Sequence, residues 1–188
     1  MTEDQERCMK LAKPMLGDFY EIWHHAFDNY QEYPVEFTAE HDDTTAANCI
    51  RAHAWTELVR RFDGKNGYKL YRIRGLRLLL YRNHLVWRLK KVDVGGRHQN
   101  YQTEQQKIFD DQLPLPGIPP QATRLTSGYQ PDPASQSIER IIVSRPLGRS
   151  ILWASQVNLD DGGAASWIDI TPPRLSGTDR VDYRGRRR

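Results

Sequence analysis

Two groups of residues in this chain have the types and spacing that chemistry requires. The first is Glu40-His41-Asp42-Asp43, with His53 a few helical turns further on. Carboxylates and imidazoles gathered at a helix start can bind a divalent cation or relay a proton. Asp42, Asp43 and His53 are therefore the candidate catalytic residues. The same two aspartates suit a purely structural role, as N-cap and first-turn acid at the positive end of a helix. His41 and His53 lack the i, i+4 spacing of a helical metal site and no HExxH motif occurs, so neither metal nor cofactor is expected.

The second group is basic. Between Arg61 and Arg97 there are eleven Lys/Arg against two Asp. Within 67–93 (GYKLYRIRGLRLLLYRNHLVWRLKKVD) apolar and cationic residues alternate, which predicts strands with one apolar and one positive face. Lys69, Arg72, Arg74, Arg77, Arg88 and Lys90 lie in this stretch, and Arg97 and Asn100 follow it; these are the candidate binding residues. Tyr68, Tyr71, Tyr81 and Trp87 are interleaved with them. Cations for the backbone and aromatics for stacking are what single-stranded nucleic acid needs, although aromatic strand residues also pack cores. An acidic protein is the other partner that such a face fits.

Several more specific chemistries are excluded or left weak. A metal-dependent nuclease of the PD-(D/E)xK type needs an acid two residues before its strand lysine. Here Arg88 stands two before Lys90, and Leu89 two before Lys91, so that chemistry is not expected. The Gly95-Gly96 turn leads through Arg97, His98, Asn100 and Tyr101 to Thr103, and free backbone N–H groups there would suit an anion. A capped loop is the plainer reading of the same residues. No Ser/His/Asp or Cys/His nucleophile arrangement is visible, and catalysis stays an open question.

The elements that must position these residues follow from periodicity and caps. Residues 3–31 read as helix, interrupted near Pro14 and Gly17, with Phe19, Ile22, Trp23, Ala26, Phe27 and Tyr30 as an apolar stripe. A second helix starts at 42–45 and stops at Asp63-Gly64. Strands are predicted over 67–74, 76–82 and 84–93, with reversals at Gly75 and Asn83. Thr103 and Gln106 form a capping box for a short helix. The proline-rich 113–120 (LPLPGIPP) is a stiff connector, and strands resume over 122–130, 137–145 and 149–157. Strands joined by short turns argue for an antiparallel sheet. The expected fold is α+β: about six mainly antiparallel strands with the N-terminal helices packed on them. Residues 1–159 form one domain, helical over 1–64 and sheet-rich over 65–159, and 160–188 form a flexible Gly/Pro/Arg-rich tail, poorly ordered apart from Trp167–Ile170.

Charge is unevenly spread over the 188 residues, whose net value is only +3. The first sixty residues are strongly acidic and 61–101 strongly basic, so the helical part could neutralise the sheet part from within. Cys8 and Cys49 suggest a reduced chain, with one disulfide between them left open. The start MTEDQER has no signal-peptide pattern, and no apolar run is long enough to span a bilayer. A soluble cytoplasmic protein with no membrane partner is expected.

Several short motifs recur together in one kind of protein. They are Trp87–Asp93 (WRLKKVD), Gly96-Arg97 followed by Asn100-Tyr101, Thr103 and Gln105-Gln106, then Leu115 to Pro120, Gly128-Tyr129-Gln130 and Ile151-Leu152-Trp153. Over about residues 40–157 the chain resembles small bacterial proteins encoded beside helix-turn-helix/ImmA-IrrE-type metallopeptidase-domain proteins. Such pairs resemble toxin–antitoxin modules with antiphage roles, of the RosmerTA kind. The resemblance implies a toxin-like effector held inactive by a cognate antitoxin-like protein, and it transfers no catalytic residue. The alternative is a non-catalytic nucleic-acid-binding module.

Overall fold

The two long helices begin where the sequence supplies caps. In the computed structural model, which describes residues 1–73, 75–98 and 103–173, α1 spans Glu3–Gln31 behind a Thr2–Gln5 capping box. It runs unbroken through Pro14, where an interruption was expected. A mid-helix proline costs about 3 kcal/mol. Against that, α1 buries Met9, Met15, Leu16, Phe19, Ile22 and Trp23 completely, each worth roughly 1.5–3 kcal/mol. Burial wins. A single turn, α2 (Val35–Thr38), follows Pro34. Helix α3 (Asp43–Phe62) is capped by Asp42, whose Oδ1 accepts from the Thr45 N–H at 2.7 Å.

The sheet has seven strands in chain order: β1 (Tyr68–Ile73), β2 (Leu76–Tyr81), β3 (Leu85–Lys91), β4 (Thr123–Pro131), β5 (Ile138–Leu147), β6 (Ser150–Leu159) and β7 (Ala165–Asp169). All neighbours are antiparallel except β3 and β4, which run parallel from Leu85↔Thr123 to Lys91↔Tyr129. A parallel pair needs a crossover, and residues 92–122 supply it, carrying α4 (Glu104–Asp110) across the sheet. The α+β class is as expected, with one strand more than the sequence suggested. That strand, β7, comes from the segment read as a tail. It pairs with β6, and Asp169 at its end accepts from the Met1 amine and the Gln5 side chain. Residues 174–188 lie outside the described residues.

Each sheet face has its own cover. Helices α1 and α3 pack on Leu79, Tyr81, Trp87, Leu89, Leu125, Tyr129, Val143 and Trp153. On the other face Phe109 of α4, Leu115 and Ile118 of the proline-rich connector, and Ala122 just before β4 pack on Leu78, Leu80 and Val86. Cys8 and Cys49 are both free thiols. Among the described residues no helix is long and apolar enough to cross a membrane.

The parallel pair constrains one position closely. A Cβ on Gly128, opposite Lys90, would lie 2.6 and 2.7 Å from the two methyls of Val92 and 3.1 Å from the Lys90 carbonyl oxygen. Gly128→Ala is therefore expected to lose about 1–3 kcal/mol of stability, read as a lowered urea midpoint at unchanged m-value. An unchanged midpoint would mean that β3 and β4 are less tightly joined than described.

Candidate functional site: a cationic fork in the sheet

The β1–β2 ladder is complete, from Tyr68↔Tyr81 to Ile73↔Leu76. Between β2 and β3 the pairing covers only Leu79–Tyr81 against Leu85–Trp87. Continuing that register would set Arg77 opposite Leu89 and Leu76 opposite Lys90, but the ladder stops first. Strand β3 stays with β4 on its other side, so the β1–β2 hairpin splays away and leaves a fork. A cavity of about 260 Å³ occupies it.

Four elements converge there because the strands have parted. The hairpin contributes Gly75, Leu76 and Arg77, and β3 contributes Arg88, Leu89 and Lys90. Arg51 and Trp55, one turn apart on α3, enter from one face of the sheet. Thr103, Gln105 and Gln106, at the start of α4, enter from the other. Four lining residues are cationic, and none of the described lining residues is acidic.

The inner groups are well defined. Arg88 is 3% exposed and pairs through Nη2 with Asp110, itself fully buried, at 2.5 Å. Its Nε donates to Thr126 Oγ1 at 3.0 Å, while Nη1 is buried with no hydrogen-bond partner among the described residues. Trp55 Nε1 is a second buried donor without a partner among the described residues. Burial pulls the Arg88 guanidinium down against the opposing Asp110 carboxylate. Burial, with Arg88 and Arg51 adding to it, lowers the Lys90 ammonium to about 8. Arg51 is likewise lowered, by burial first and then by Arg77. The cavity is a place where positive charge is held at a cost, and an arriving anion would relieve that cost.

The residues singled out from sequence do not form one face. Paired residues share a face, so Arg72 and Arg77 point to the α1/α3 side and Lys69 to the α4 side, all three exposed. Arg88 and Lys90 also lie on the α4 side but are buried. Arg97 is exposed in the following loop. Arg74 and Asn100 lie outside the described residues. Of the described candidates, Arg77, Arg88 and Lys90 meet, at the fork. The aromatics are mostly core: Trp87 packs on Phe19 at 4.7 Å, and Tyr68 lies between Phe62 and Tyr81 at 4.7 and 4.9 Å. The Gly95-Gly96 turn already has its anion, since Asp93 Oδ1 accepts from the Gly95 and Arg97 N–H groups at 3.0 and 2.8 Å.

Asp42, Asp43 and His53 are not brought together. Asp42 caps α3, and the Thr45 backbone N–H holds its carboxyl below the usual range. Asp43 is exposed, 3.9 Å from Lys91 Nζ. His53 lies ten residues further on, about 15 Å along the helix axis, with Nε2 bonded to Tyr33 Oη at 2.8 Å. Among the described residues no group of three or more His, Cys, Asp or Glu is placed to hold a metal ion.

Sequence reasoning missed Arg51, Trp55 and Asp110. Arg51 and Trp55 carried one usable signal, a cation and an aromatic spaced i, i+4 on a helix. Nothing in the order of residues linked that pair to the strands. Compared with known proteins, the chain matches no family model, no curated protein and no solved structure.

The lowering of Lys90 makes stability depend on pH. Between about pH 8 and its ordinary value of 10.5 the unfolded chain holds a proton that the folded chain has lost, so stability rises with pH across that window. Lys90→Met should abolish this rise and be more stable than the parent below pH 8, by on the order of 3 kcal/mol. Denaturant unfolding of both proteins from pH 7 to 10.5 checks this, and parallel curves would contradict it.

Proposed function

We propose that this chain is a binding module for a phosphorylated ligand, which it takes into the cationic fork. The observation that carries the reading is the convergence of Arg51, Arg77, Arg88 and Lys90 on one cavity. Such cations gain most from an acceptor that is itself charged. Phosphate groups of nucleic acid are one such source. Arg72, exposed and directly across the ladder from Arg77, extends the positive charge outward from the fork. With Tyr68, Tyr81 and Trp87 in the core, nucleic-acid binding here rests on cations rather than on a stacking platform.

The test is the binding of a fluorescent single-stranded oligonucleotide at increasing salt. Each phosphate contact should contribute about −0.7 to the slope of log K against log salt. The Arg51→Ser/Arg77→Ser double variant should bind at least about tenfold more weakly with an unchanged Tm. A flat salt response, or full affinity in the variant, rules the nucleic-acid form of the reading out.

A second reading is a toxin-like effector whose cognate protein partner covers the mouth of the fork. What favours it is that Lys69, Arg72 and Arg77 stay exposed without an ion pair among the described residues. The acids of the helices are engaged elsewhere: Asp18, Glu21 and Glu57 with Arg61, and Asp4 with Arg145. On this reading, tight induction of the chain alone arrests growth and co-expression of the neighbouring gene's product restores it. Normal growth on induction sinks it.

A further inference from the structure

Strand β1 is one edge of the seven-stranded sheet, and no described strand pairs with its outer side. We propose that this edge accepts a further strand, an extended segment of a partner protein that carries two acids three residues apart. The inference concerns the sheet edge rather than the cavity and does not depend on what the fork binds.

The backbone is the first argument. The Arg82 N–H donates to the Gly67 carbonyl at 2.7 Å, one step before the Tyr68↔Tyr81 pair. Hydrogen-bonded and non-hydrogen-bonded pairs alternate along an antiparallel ladder. Lys69, Tyr71 and Ile73 therefore turn their backbone groups to β2, while Tyr68, Leu70 and Arg72 turn theirs outward. The Tyr68 N–H is taken by the Lys65 carbonyl at 3.2 Å. The Tyr68 carbonyl and both backbone groups of Leu70 and of Arg72 have no partner among the described residues. A row of outward groups at every second residue is what an added strand pairs with.

Side chains are the second argument, and they set the chemistry of the occupant. Leu70 is partly buried against the α1/α3 core, and Tyr71 and Ile73 against the core under α4. Both cores thus reach this edge with apolar surface still uncovered, and apolar residues opposite Leu70 and Tyr71 extend both. Lys69 and Arg72 are exposed, point to opposite faces, and have no ion pair among the described residues. Arg72 also stands directly across from Arg77, and like charges so placed destabilise the pair. An acid opposite Arg72 offsets that repulsion, and a second acid pairs Lys69 on the other face. Because Lys69 and Arg72 are three apart, the two acids must be three apart as well. A second copy does not supply them. Its β1 (YKLYRI) has no acid, and its β7 (ASWID) has one, Asp169, already held by Met1 and Gln5.

The probe is an acetylated and amidated peptide, Thr-Glu-Val-Val-Glu-Thr, titrated into the isotopically labelled full chain, with amide hydrogen exchange read by NMR. Bound peptide should slow exchange of the outward-facing Leu70 and Arg72 amides at least about tenfold. The Lys69 and Tyr71 amides, already bonded to β2, should not change. Replacing both peptide glutamates by glutamine should weaken binding about fivefold, as expected for the loss of two cross-strand charge pairs. The rearranged peptide Thr-Val-Glu-Glu-Val-Thr keeps the charge but loses one pair, and should fall between. The Lys69→Glu/Arg72→Glu variant should reject the acidic peptide and bind Thr-Lys-Val-Val-Lys-Thr instead, a gain that no folding defect can produce. Binding without protection of Leu70 and Arg72, equal affinity for the glutamate and glutamine peptides, or no binding at millimolar peptide overturns the proposal. A free chain that is a dimer with those two amides already protected makes a second copy the occupant and overturns it too. So does protection of the two amides by a single-stranded oligonucleotide and by neither acidic peptide.

Discussion

The buried ion pair between Arg88 and Asp110 is the contact on which the arrangement of the site depends. The carboxylate is fully buried and the guanidinium nearly so. Isolated charges at that depth would be costly, and a well-packed apolar pair is often the more stable alternative. What the charged pair adds is geometry. Arg88 reaches β4 through Thr126, lies 4.5 Å above the Phe109 ring, and meets an aspartate that also bonds His98 at 2.9 Å. One ionic contact thus ties together β3, β4, α4 and the loop after β3. The segment that presents Asp110 is itself secured. Arg124 donates to the carbonyls of Ile108 and Leu113, and Gln112 bridges the Arg124 backbone and Pro146.

With Arg88 fixed in this way, positive charge is concentrated inside the molecule rather than spread over a sheet face. Depth changes its effect. Exposed cations such as Lys69 and Arg72 act through high-dielectric water and are screened by salt within about 10 Å. Those in the fork act through a lower effective dielectric, where the same charge interacts several times more strongly. The acidic helices do little to offset either group. Most of their ion pairs close within the helical layer or reach a distant strand, as with Asp4 and Arg145. Among the described residues of the basic stretch, Arg61 and Lys91 are met by carboxylates from the first sixty residues.

Local rules made much of the fold legible. The Thr103–Gln106 capping box, the Asp42 cap, the reversals at Gly75 and Asn83 and the short-turn strand runs all express interactions within a few residues. The parallel β3–β4 pair was not legible, because a crossover of some thirty residues does not declare which strand it returns to. Strand β7 was hidden for a related reason: short, polar and among glycines, it is held by contacts with β6, Met1 and Gln5 rather than by its own pattern. The single cationic face failed on periodicity alone. Lys69 and Arg72 are three apart and must point to opposite sides of one strand, a count that the overall alternation concealed. The fork was least legible of all, since it exists only where a ladder ends early.

That early ending has a physical reason in the same residues. Completing the β2–β3 ladder would bring the strand bearing Arg77 against the one bearing Arg88 and Lys90, beside Arg51 on the helix above. In that register Arg77 would face Leu89 on the α3 side, while Arg88 and Lys90 point to the α4 side. The cations crowded together would be Arg77 and Arg51, which already oppose each other. Like charges brought together on a strand pair destabilise it. The hydrogen bonds forgone by stopping at Leu79↔Trp87 are worth about 0.5–1.5 kcal/mol each in net terms. That is a modest loss compared with enclosing unbalanced charge at low dielectric. The opening between the strands and the positive charge that lines it are therefore two expressions of one constraint. The residues that keep the sheet from closing are the ones that line the opening with positive charge.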